Sequence, residues 1–331
     1  MAYINAFLTH FRAVQEWGRS TQASIELDVM NFEMEVKCRG RYYHLFPQFV
    51  GAINGRFFNM PALTPDTGGF IGWLPYRLVK YELARDKLYF KTFVREAGLL
   101  TPASWDLAAE SPSPNRDYIL KRSMGSFGYE LAGPFRAGTA PPKGRLATGN
   151  GTVFAEQFIR GRSLKVWYWG QRAFFAHLRE PSEVLADGSS TVHALVDQRL
   201  KSGHNADLET YKERHVVQDC LAFQDLALAD VPKKGTSVLV DYRYGREYRP
   251  AASSLQSDNE MALIPAPAMQ AIEAAGSRFA AKLLENMPAP VAYSLDGVID
   301  EEGQVWWLEA NSNPAFPPEG YAAMFGDLFG G

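Results

Sequence analysis

The first quarter of the chain alternates apolar and polar residues before it becomes rich in Pro and Gly. Residues 24–46, SIELDVMNFEMEVKCRGRYYHLF, have the period of two that is typical of strands, and they predict two strands joined by a turn at Arg39–Gly40. Residues 58–75, FNMPALTPDTGGFIGWLP, predict a loop, because Pro and Gly interrupt regular structure. This region therefore predicts a strand pair followed by an aromatic-rich loop.

Other segments have the period of an amphipathic helix. Residues 76–99, YRLVKYELARDKLYFKTFVREAGL, predict a charged helix that ends at Gly98. Residues 267–287, PAMQAIEAAGSRFAAKLLENM, predict a helix with one apolar face. Between them, residues 191–229 also have a helical pattern.

Short runs rich in aromatic and β-branched residues predict the remaining strands. These runs are ASWDLA (103–108), DYILKRS (117–123), TVFAEQFIRG (152–161), KVWYWGQ (165–171), RAFFAHLRE (172–180) and GTSVLVDYRYG (235–245). Near the C-terminus, APVAYSLDGVID and QVWWLEANS predict a hairpin with its turn at residues 300–303. The sum is an α+β fold, in which antiparallel strands pack against helices.

Composition and charge narrow the class of protein. The chain has 331 residues, 46% of them hydrophobic, which is enough for a large core and more than one compact unit. A net charge of -3 and a mixed distribution of charge argue against a nucleic-acid-binding face. No uncharged apolar run is long enough to span a bilayer, and charge near the N-terminus comes too early for a signal peptide. Cys38 and Cys220 have no metal-type spacing and do not suggest a disulfide framework, so we expect a cytoplasmic protein. From the charge and the absence of an apolar run, we expect neither nucleic acid nor membrane as a partner.

Oxygen-bearing side chains cluster in the C-terminal hairpin. Glu309 and Asn311 are two residues apart in a predicted strand, so their side chains leave the same face. Asp296, on the preceding strand, is placed to face them. Carboxylate and amide oxygens suit Mg²⁺, which takes further ligands from substrate phosphates. The residues alone leave a second interpretation open, a solvated strand end followed by a turn.

A lysine leads from an apolar strand into a glycine-containing loop. Lys121 ends the run YILK, and the loop that follows contains Gly125, Ser126 and Gly128. The backbone N–H groups of such a loop can cradle phosphates, with the ammonium alongside. The spacing is not that of a Walker loop, and an ordinary flexible turn is the alternative interpretation.

The run FAEQFIRG places Glu156 in an apolar strand. Such a strand can offer backbone hydrogen bonds to the edge of a purine. The alternative interpretation is a plain core strand with a solvated Glu.

The order of these stretches resembles that of the ATP-grasp superfamily of carboxylate–amine ligases. The resemblance covers the chain from about residue 86 to residue 314. It rests on DK (86–87), ILKRSMGSFG (119–128), AEQFIRGRSLKVW (155–167), AHLRE (176–180), LDGVID (295–300) and WWLEANSNP (306–314). A finer resemblance, to cyanophycin synthetase and its glutathione-forming relatives, rests on ADGSSTVHALV (186–196) and DVPKKGTSVLV (230–240).

The resemblance implies an ATP-grasp fold, in which two α+β lobes with antiparallel sheets enclose ATP. It implies a small lobe at residues 81–155 and a large lobe with the metal site at residues 156–331. Residues 1–80 depart from the family's usual first domain. We expect them to form an atypical domain for substrate binding or oligomerisation, and a homodimer is possible.

The resemblance also assigns roles to single residues. Phosphate contacts fall to Lys87, Lys121, Gly125, Ser126 and Gly128. The adenine hinge falls to Glu156, Gln157, Phe158 and Ile159, and Ser163 stands where many relatives carry an acidic ribose ligand. Catalysis falls to Lys121, Lys165 and Arg179, with Arg179 at the transferred phosphate. The Mg²⁺ ligands are Asp296, Glu309 and Asn311.

The activity that the family implies is amide formation driven by ATP. A substrate carboxylate attacks the γ-phosphate to give an acyl phosphate, and an amine then displaces phosphate, leaving ADP. Neither step needs a nucleophile from the protein. Arg243, Arg246 and Arg249, interleaved with tyrosines, are candidates to grip a substrate carboxylate, with a charged edge strand as the alternative, and Asn313 is also expected at the substrate.

Two other functions share this site. One is an ATP-grasp module that binds nucleotide for regulation without ligating anything. The other is a kinase that phosphorylates a small molecule. The intact set of lysine, arginine and metal-ligand residues favours the ligase, because a module that only binds has less need of all the metal ligands.

Overall fold

The computed structural model describes residues 2–53, 56–107, 114–124, 131–140, 142, 146, 149–202, 207–211, 214–243, 258–287 and 289–330. The chain begins with helix α1 (Ala2–Thr21), in which Phe7, Phe11 and Val14 recur at helical spacing and pack into an apolar core. Five strands follow: β1 (Ser24–Leu27), β2 (Met34–Cys38), β3 (Arg41–Ile53), β4 (Arg56–Met60) and β5 (Thr67–Leu74). They form one antiparallel sheet in the order β1-β2-β3-β4, with β5 also paired to β3.

The predicted turn at Arg39–Gly40 is confirmed. Cys38 lies opposite Arg41, so the hairpin loop has two residues, and both have positive φ (50° and 77°). Two left-handed residues match the right-handed twist of the flanking strands, which is why a Gly is placed here.

Residues 58–75 are only partly the predicted loop: residues 61–66 connect β4 to β5, but residues 58–60 and 67–74 are in strands. Strand β5 pairs with β3, and its Phe70, Trp73 and Leu74 enter the apolar core. The glycines of β5 serve close packing rather than a turn. At Gly72, φ is +128° and an added Cβ would lie 3.0 Å from the Cβ of Phe316. Tertiary packing makes a strand where local composition predicted a break.

Two further antiparallel sheets of four strands each form the centre of the molecule, which confirms the predicted α+β class. The small-lobe sheet has the order β6-β9-β7-β8. Its strands are β6 (Ser104–Asp106), β7 (Tyr118–Arg122), β8 (Leu131–Phe135) and β9 (Val153–Gln157). The large-lobe sheet has the order β11-β10-β14-β15. Its strands are β10 (Arg162–Trp169), β11 (Arg172–Arg179), β14 (Ala292–Ile299) and β15 (Val305–Ser312).

Helices α2 (Lys87–Glu96) and α5 (Ala266–Leu284) cover the large-lobe sheet. Phe90 of α2 and Phe279 of α5 are in the same buried core as Tyr293 of β14. Helix α5 has the predicted position. Because Phe90 belongs to this core, helix α2 packs on the large-lobe sheet.

The predicted helix over residues 76–99 is too long at its N-terminal end. Helix α2 begins only after Asp86, whose side chain caps it by accepting hydrogen bonds from the N–H groups of Leu88 (2.8 Å) and Tyr89 (3.1 Å). Upstream of the cap there is only one 3-10 turn (Glu82–Ala84), and the hydroxyls of Tyr76 and Tyr81 bond to the backbone of Ala292. The helix ends before Gly98 (φ +71°), as predicted.

A smaller unit packs beside the lobes. It contains the paired strands β12 (Ser182–Leu185) and β13 (Ser237–Asp241) and the helices α3 (Val192–Ser202) and α4 (Arg214–Phe223). The sequence predicted β13 and the helical pattern but not β12. It also did not predict α1, β8 or the last helix, α6 (Gly320–Phe329). None of the helices in the described residues is long and apolar enough to cross a membrane.

Helix α6 returns to the N-terminal sheet and shares its core. The core that contains Val14, Phe49 and Trp73 also contains Met324 and Phe325 of α6. The first 80 residues thus depend on the end of the chain for their packing.

A buried polar contact fixes this junction. The Tyr321 hydroxyl lies 2.9 Å from Nδ1 of His10 and accepts the N–H of Trp73 at 3.0 Å. A neutral imidazole has one N–H and one bare ring nitrogen, so it can make this contact as either donor or acceptor. Burial lowers the pKa of His10 to about 4.

We predict that His10 makes the protein sensitive to mild acid. Its pKa is lower in the folded state than in the unfolded chain, so the folded state loses stability as pH falls from 6.5 towards 4, and the loss reaches about 3 kcal/mol near pH 4. Urea unfolding across this pH range measures it. His10→Asn keeps an acceptor for Tyr321 and should remove this part of the pH dependence. Identical pH dependence in the variant and the wild type would show that His10 is not the group responsible.

Candidate functional site

A cleft of about 2640 Å³ lies between the small-lobe and large-lobe sheets. The N-terminal sheet and the β12–β13 unit also contribute to its wall, with Phe58 and Asn59 on one side and Glu183 and Leu239 on the other. Pockets for one small molecule usually enclose about 300–1,000 Å³. This cleft is therefore large enough for a nucleotide together with a second substrate.

The predicted oxygen ligands converge on one face of the large-lobe sheet. In the β14–β15 ladder, Asp296 lies opposite Glu309 and Ser294 lies opposite Asn311. The side-chain amide of Asn311 donates a hydrogen bond of 2.9 Å to Oδ2 of Asp296. The period of two along each strand, predicted from sequence, is what brings the three side chains together.

A bulge in β15 adds an apolar residue to the same wall. The ladder steps from Trp307, opposite Gly297, to Glu309, opposite Asp296. Leu308 is thus the extra residue of the bulge, and it lines the cleft. Strict alternation would turn Leu308 away from Glu309, so the sequence pattern did not predict it as a site residue.

Lysines face both carboxylates. Lys165 lies opposite Asp296 in the β10–β14 ladder, and its Nζ is 2.6 Å from Oδ1 of Asp296. Nζ of Lys87, in the first turn of α2, is 3.1 Å from Oε2 of Glu309. Burial raises the pKa of Asp296, and Lys165 only partly opposes this rise. Burial would also raise the pKa of Glu309, but the ammoniums of Lys87 and Lys121 outweigh it, so that pKa is lowered.

The third carboxylate of the site, Glu156, is buried between two more lysines. Its side chain is 1% exposed, with Oε1 at 2.6 Å from Nζ of Lys121 and Oε2 at 2.7 Å from Nζ of Lys91. A solvated Glu, the alternative considered from sequence, is therefore wrong. Burial would raise the pKa of Glu156, but the two ammoniums outweigh it and lower the pKa. The sequence analysis did not single out Lys91, although it follows Lys87 by one helical turn.

The predicted hinge lines the cleft, but its donors are partly used within the protein. The N–H groups of Gln157 and Phe158 donate to the carbonyls of Ala103 (2.9 Å) and Asp117 (2.7 Å). Among the described residues, the N–H of Ile159 has no such partner. If a purine binds here, Ile159 is the hinge residue with a backbone donor to offer.

Aromatic rings surround the hinge and leave the ribose ligand unassigned. Phe158 packs edge-on against Phe223 and Tyr242, at 5.7 Å and 5.2 Å between ring centroids. Ser163 is buried, and its hydroxyl donates to the carbonyl of Tyr242 at 3.4 Å. The hydroxyl of Ser163 is thus engaged within the protein.

The predicted arginine sites have acidic partners. Arg179 is paired with Glu260 and, at 3.5 Å, with Asp258, and the cleft wall formed by the described residues does not include it. Arg243 lines the cleft, but Nε and Nη2 contact the two oxygens of buried Asp241 at 3.0 Å and 2.7 Å. The charge of each arginine is thus already compensated by acidic side chains of the protein.

Asn313 has a structural task that the sequence prediction missed. Its Oδ1 accepts the N–H of Val79 at 3.1 Å, its Nδ2 donates to the Val79 carbonyl, and its own φ is +48°. The amide is therefore bonded to the backbone of the segment before α2, at the wall of the cleft. Gly125, Ser126, Gly128, Arg246 and Arg249 lie outside the described residues.

The donor set fits a magnesium–nucleotide complex. Three carboxylates face four ammoniums, so the paired groups carry a net positive charge that suits a polyphosphate. In the part of the chain that the structure describes, no three His, Cys, Asp or Glu side chains are grouped to hold a metal. Asp296, Glu309 and Asn311 offer two carboxylates and one amide, and Mg²⁺ typically completes such a set with water and phosphate oxygens.

No family model matches the chain, and no curated protein sequence matches it. Among solved structures, it is similar to a bifunctional glutathione synthetase from Pasteurella multocida, with 16% identity, a TM-score of 0.44, and 97% of this chain and 43% of that chain covered. It is also similar to a D-alanine–D-alanine ligase from Bacillus anthracis complexed with ATP (13% identity, TM-score 0.36, 72% and 61% covered). A third is the ATP-grasp ligase PsnB complexed with minimal precursor, with 14% identity, a TM-score of 0.31, and 71% of this chain and 54% of that chain covered.

The chain spans between 43% and 61% of the length of these three proteins. All three are named as ligases or synthetases, and PsnB is named as an ATP-grasp ligase. The identities and TM-scores are too low to transfer an activity or a substrate to this chain, so both have to be inferred from the residues of the cleft.

We predict that Glu309 is needed for divalent metal in the presence of nucleotide. Glu309→Gln keeps the shape of the side chain but removes the charge, and Mn²⁺ affinity should fall by roughly 10- to 100-fold. Electron paramagnetic resonance of free Mn²⁺, titrated with protein and a non-hydrolysable ATP analogue, measures this. Glu302→Gln, at an exposed position in the turn of the same hairpin, is the matched control and should bind like the wild type. Equal Mn²⁺ affinity in both variants would remove Glu309 from the metal site.

Proposed function

We propose that the chain is an ATP-dependent ligase that joins a carboxylate substrate to an amine through an acyl phosphate. The observation that carries the proposal is the contact of Asp296 and Glu309, which lie beside Asn311, with Lys165 and Lys87 at one wall of a large cleft. Acidic ligands for a metal and ammoniums for phosphates are together the electrostatic requirement of phosphoryl transfer.

Asp296, Glu309 and Asn311 would hold Mg²⁺ against the nucleotide phosphates. The metal, when bound, neutralises charge on the phosphates and polarises the transferred group. Lys87 and Lys165, which pair with Glu309 and Asp296, would turn to the phosphate oxygens if those carboxylates held the metal. Lys121 supplies a further ammonium at the small-lobe side of the cleft.

The reaction needs positioning and charge neutralisation rather than a protein nucleophile. One oxygen of the substrate carboxylate attacks the γ-phosphorus, and the bond to the β-phosphate oxygen breaks, releasing ADP. The amine then attacks the acyl carbon and loses a proton, and phosphate leaves. The size of the cleft supports a site for these substrates beside the nucleotide, with Phe58 and Asn59 in its wall.

Incubation of the full chain with ATP, MgCl₂ and pooled amino acids and dipeptides tests the activity. We expect an amide product that is lighter by one water than its two parts, with one ADP and one phosphate for each bond. With ¹⁸O in the substrate carboxylate, one ¹⁸O should appear in the released phosphate. Lys165→Met, which removes an ammonium from the cleft, should lower kcat by roughly 100-fold or more.

The other functions give different results in the same experiment. A phosphorylated product without an amide would identify a kinase. ATP binding with no product from any pool would support a module that only binds nucleotide. If amide formed but no ¹⁸O appeared in the released phosphate, the acyl-phosphate intermediate would be contradicted and the ligase activity would stand.

A further inference from the structure

Lys91 is a lysine with no exposed surface. It lies on α2, four residues after Lys87, between the core residues Phe90 and Val94. Its Nζ donates to Oγ1 of Thr101 at 3.0 Å and to the carbonyl of Pro102 at 3.1 Å. The third neighbour of this ammonium is Oε2 of Glu156, at 2.7 Å.

Stability gives little reason to bury this charge. Removing an ammonium from water is costly, and apolar side chains of similar volume often replace buried ion pairs without loss of stability. Burial lowers the pKa of Lys91, although Glu156 opposes the change. Stability alone therefore does not explain a buried ammonium at this position, and its contact with Glu156 suggests another role.

The groups involved form a chain that ends at the cleft. Each oxygen of Glu156 faces one lysine, Oε2 facing Lys91 and Oε1 facing Lys121. Glu156 and Lys121 line the cleft, whereas Lys91 does not. The charges of Lys91, Glu156 and Lys121 add up to +1. Because Lys121 lines the cleft and Lys91 does not, it is Lys121 that presents this positive charge to the cleft.

We propose that Lys91 is a positioning residue for the nucleotide phosphates, an inference that rests on the proposed function of the cleft. By occupying one oxygen of Glu156, Lys91 leaves Lys121 only the other. Without Lys91, the carboxylate would neutralise Lys121 with both oxygens and draw its ammonium away from an incoming phosphate. Lys91 thereby keeps a net positive charge at the small-lobe wall without touching the ligand.

Helix α2 connects the Lys91–Glu156 pair to the wall of the cleft formed by the large-lobe sheet. Lys87 and Lys91 are one turn apart on the same face of the helix, and they reach Glu309 of β15 and Glu156 of β9 respectively. The spacing between the two acidic positions is thus set by a single rigid element.

Isothermal titration calorimetry of Lys91→Met with ATP and with adenosine tests the proposal. Methionine fills a similar volume without charge. ATP affinity should fall by about 10- to 100-fold, and adenosine affinity should change by less than about 2-fold, because adenosine carries no phosphate. Lys282→Met, the same substitution at a surface lysine of α5 that pairs with Glu285, should match the wild type with both ligands. An equal loss for ATP and adenosine would overturn the proposal and assign Lys91 a general structural role.

A second pair of variants tests the route through Glu156 and also serves if Lys91→Met folds poorly. In the Glu156→Gln background the carboxylate that Lys91 restrains is gone, so adding Lys91→Met should change ATP affinity by less than about 2-fold. A full additional loss in that background would contradict the route. Wild-type protein that binds no ATP would overturn the proposed function itself, whereas tight ATP binding unaffected by Lys91→Met would overturn only this inference.

Discussion

The pairing of three carboxylates with four lysine ammoniums is the constraint on which the cleft depends. Lys87 and Lys91 come from α2, Lys121 and Glu156 from the small-lobe sheet, and Lys165, Asp296 and Glu309 from the large-lobe sheet. A charge left unpaired in such a half-buried place would cost several kcal/mol, so each element has to reach its partner for the lobes to close. Stability and function are linked here, because the groups that let the sheets approach are those that a magnesium–nucleotide complex would engage.

The N-terminal sheet is joined to the same region from the other side. The carbonyl of Ile71 accepts the N–H of Phe316, and Asn59 donates to the carbonyl of Asn313, just beyond the strand that carries Glu309. Asn313 in turn holds Val79, ahead of α2. Together with the core shared with α6, these bonds fix the aromatic edge of the first sheet beside β15. This part of the chain is thus built to shape the cleft, which suits a role in selecting the second substrate.

The sequence predicted what depends on local periodicity and little of what depends on tertiary contact. The facing of Asp296 by Glu309 followed from the period of two in adjacent strands, and helix α5 followed from its apolar stripe. Strand β5 was not predicted, since a glycine such as Gly72 is explained by the close approach of Phe316 and not by a turn. Lys91 and Glu156 are 65 positions apart in sequence, so no local pattern shows that they meet. Asn313 and Arg243 have residue types that suit a ligand, and only the structure shows that Val79 and Asp241 already occupy them.

The central claim is that Asp296, Glu309 and Asn311 hold a divalent metal only together with nucleotide. Metal-directed backbone cleavage tests this claim directly. Fe²⁺ replaces Mg²⁺, ascorbate and peroxide generate the cutting species at the metal, and mass spectrometry maps the cuts with and without a non-hydrolysable ATP analogue. The account predicts cuts within β14 and β15, close to Asp296 and Glu309, that appear when the nucleotide is added. Cuts at other strands, or cuts at β14 and β15 that do not depend on nucleotide, would contradict it.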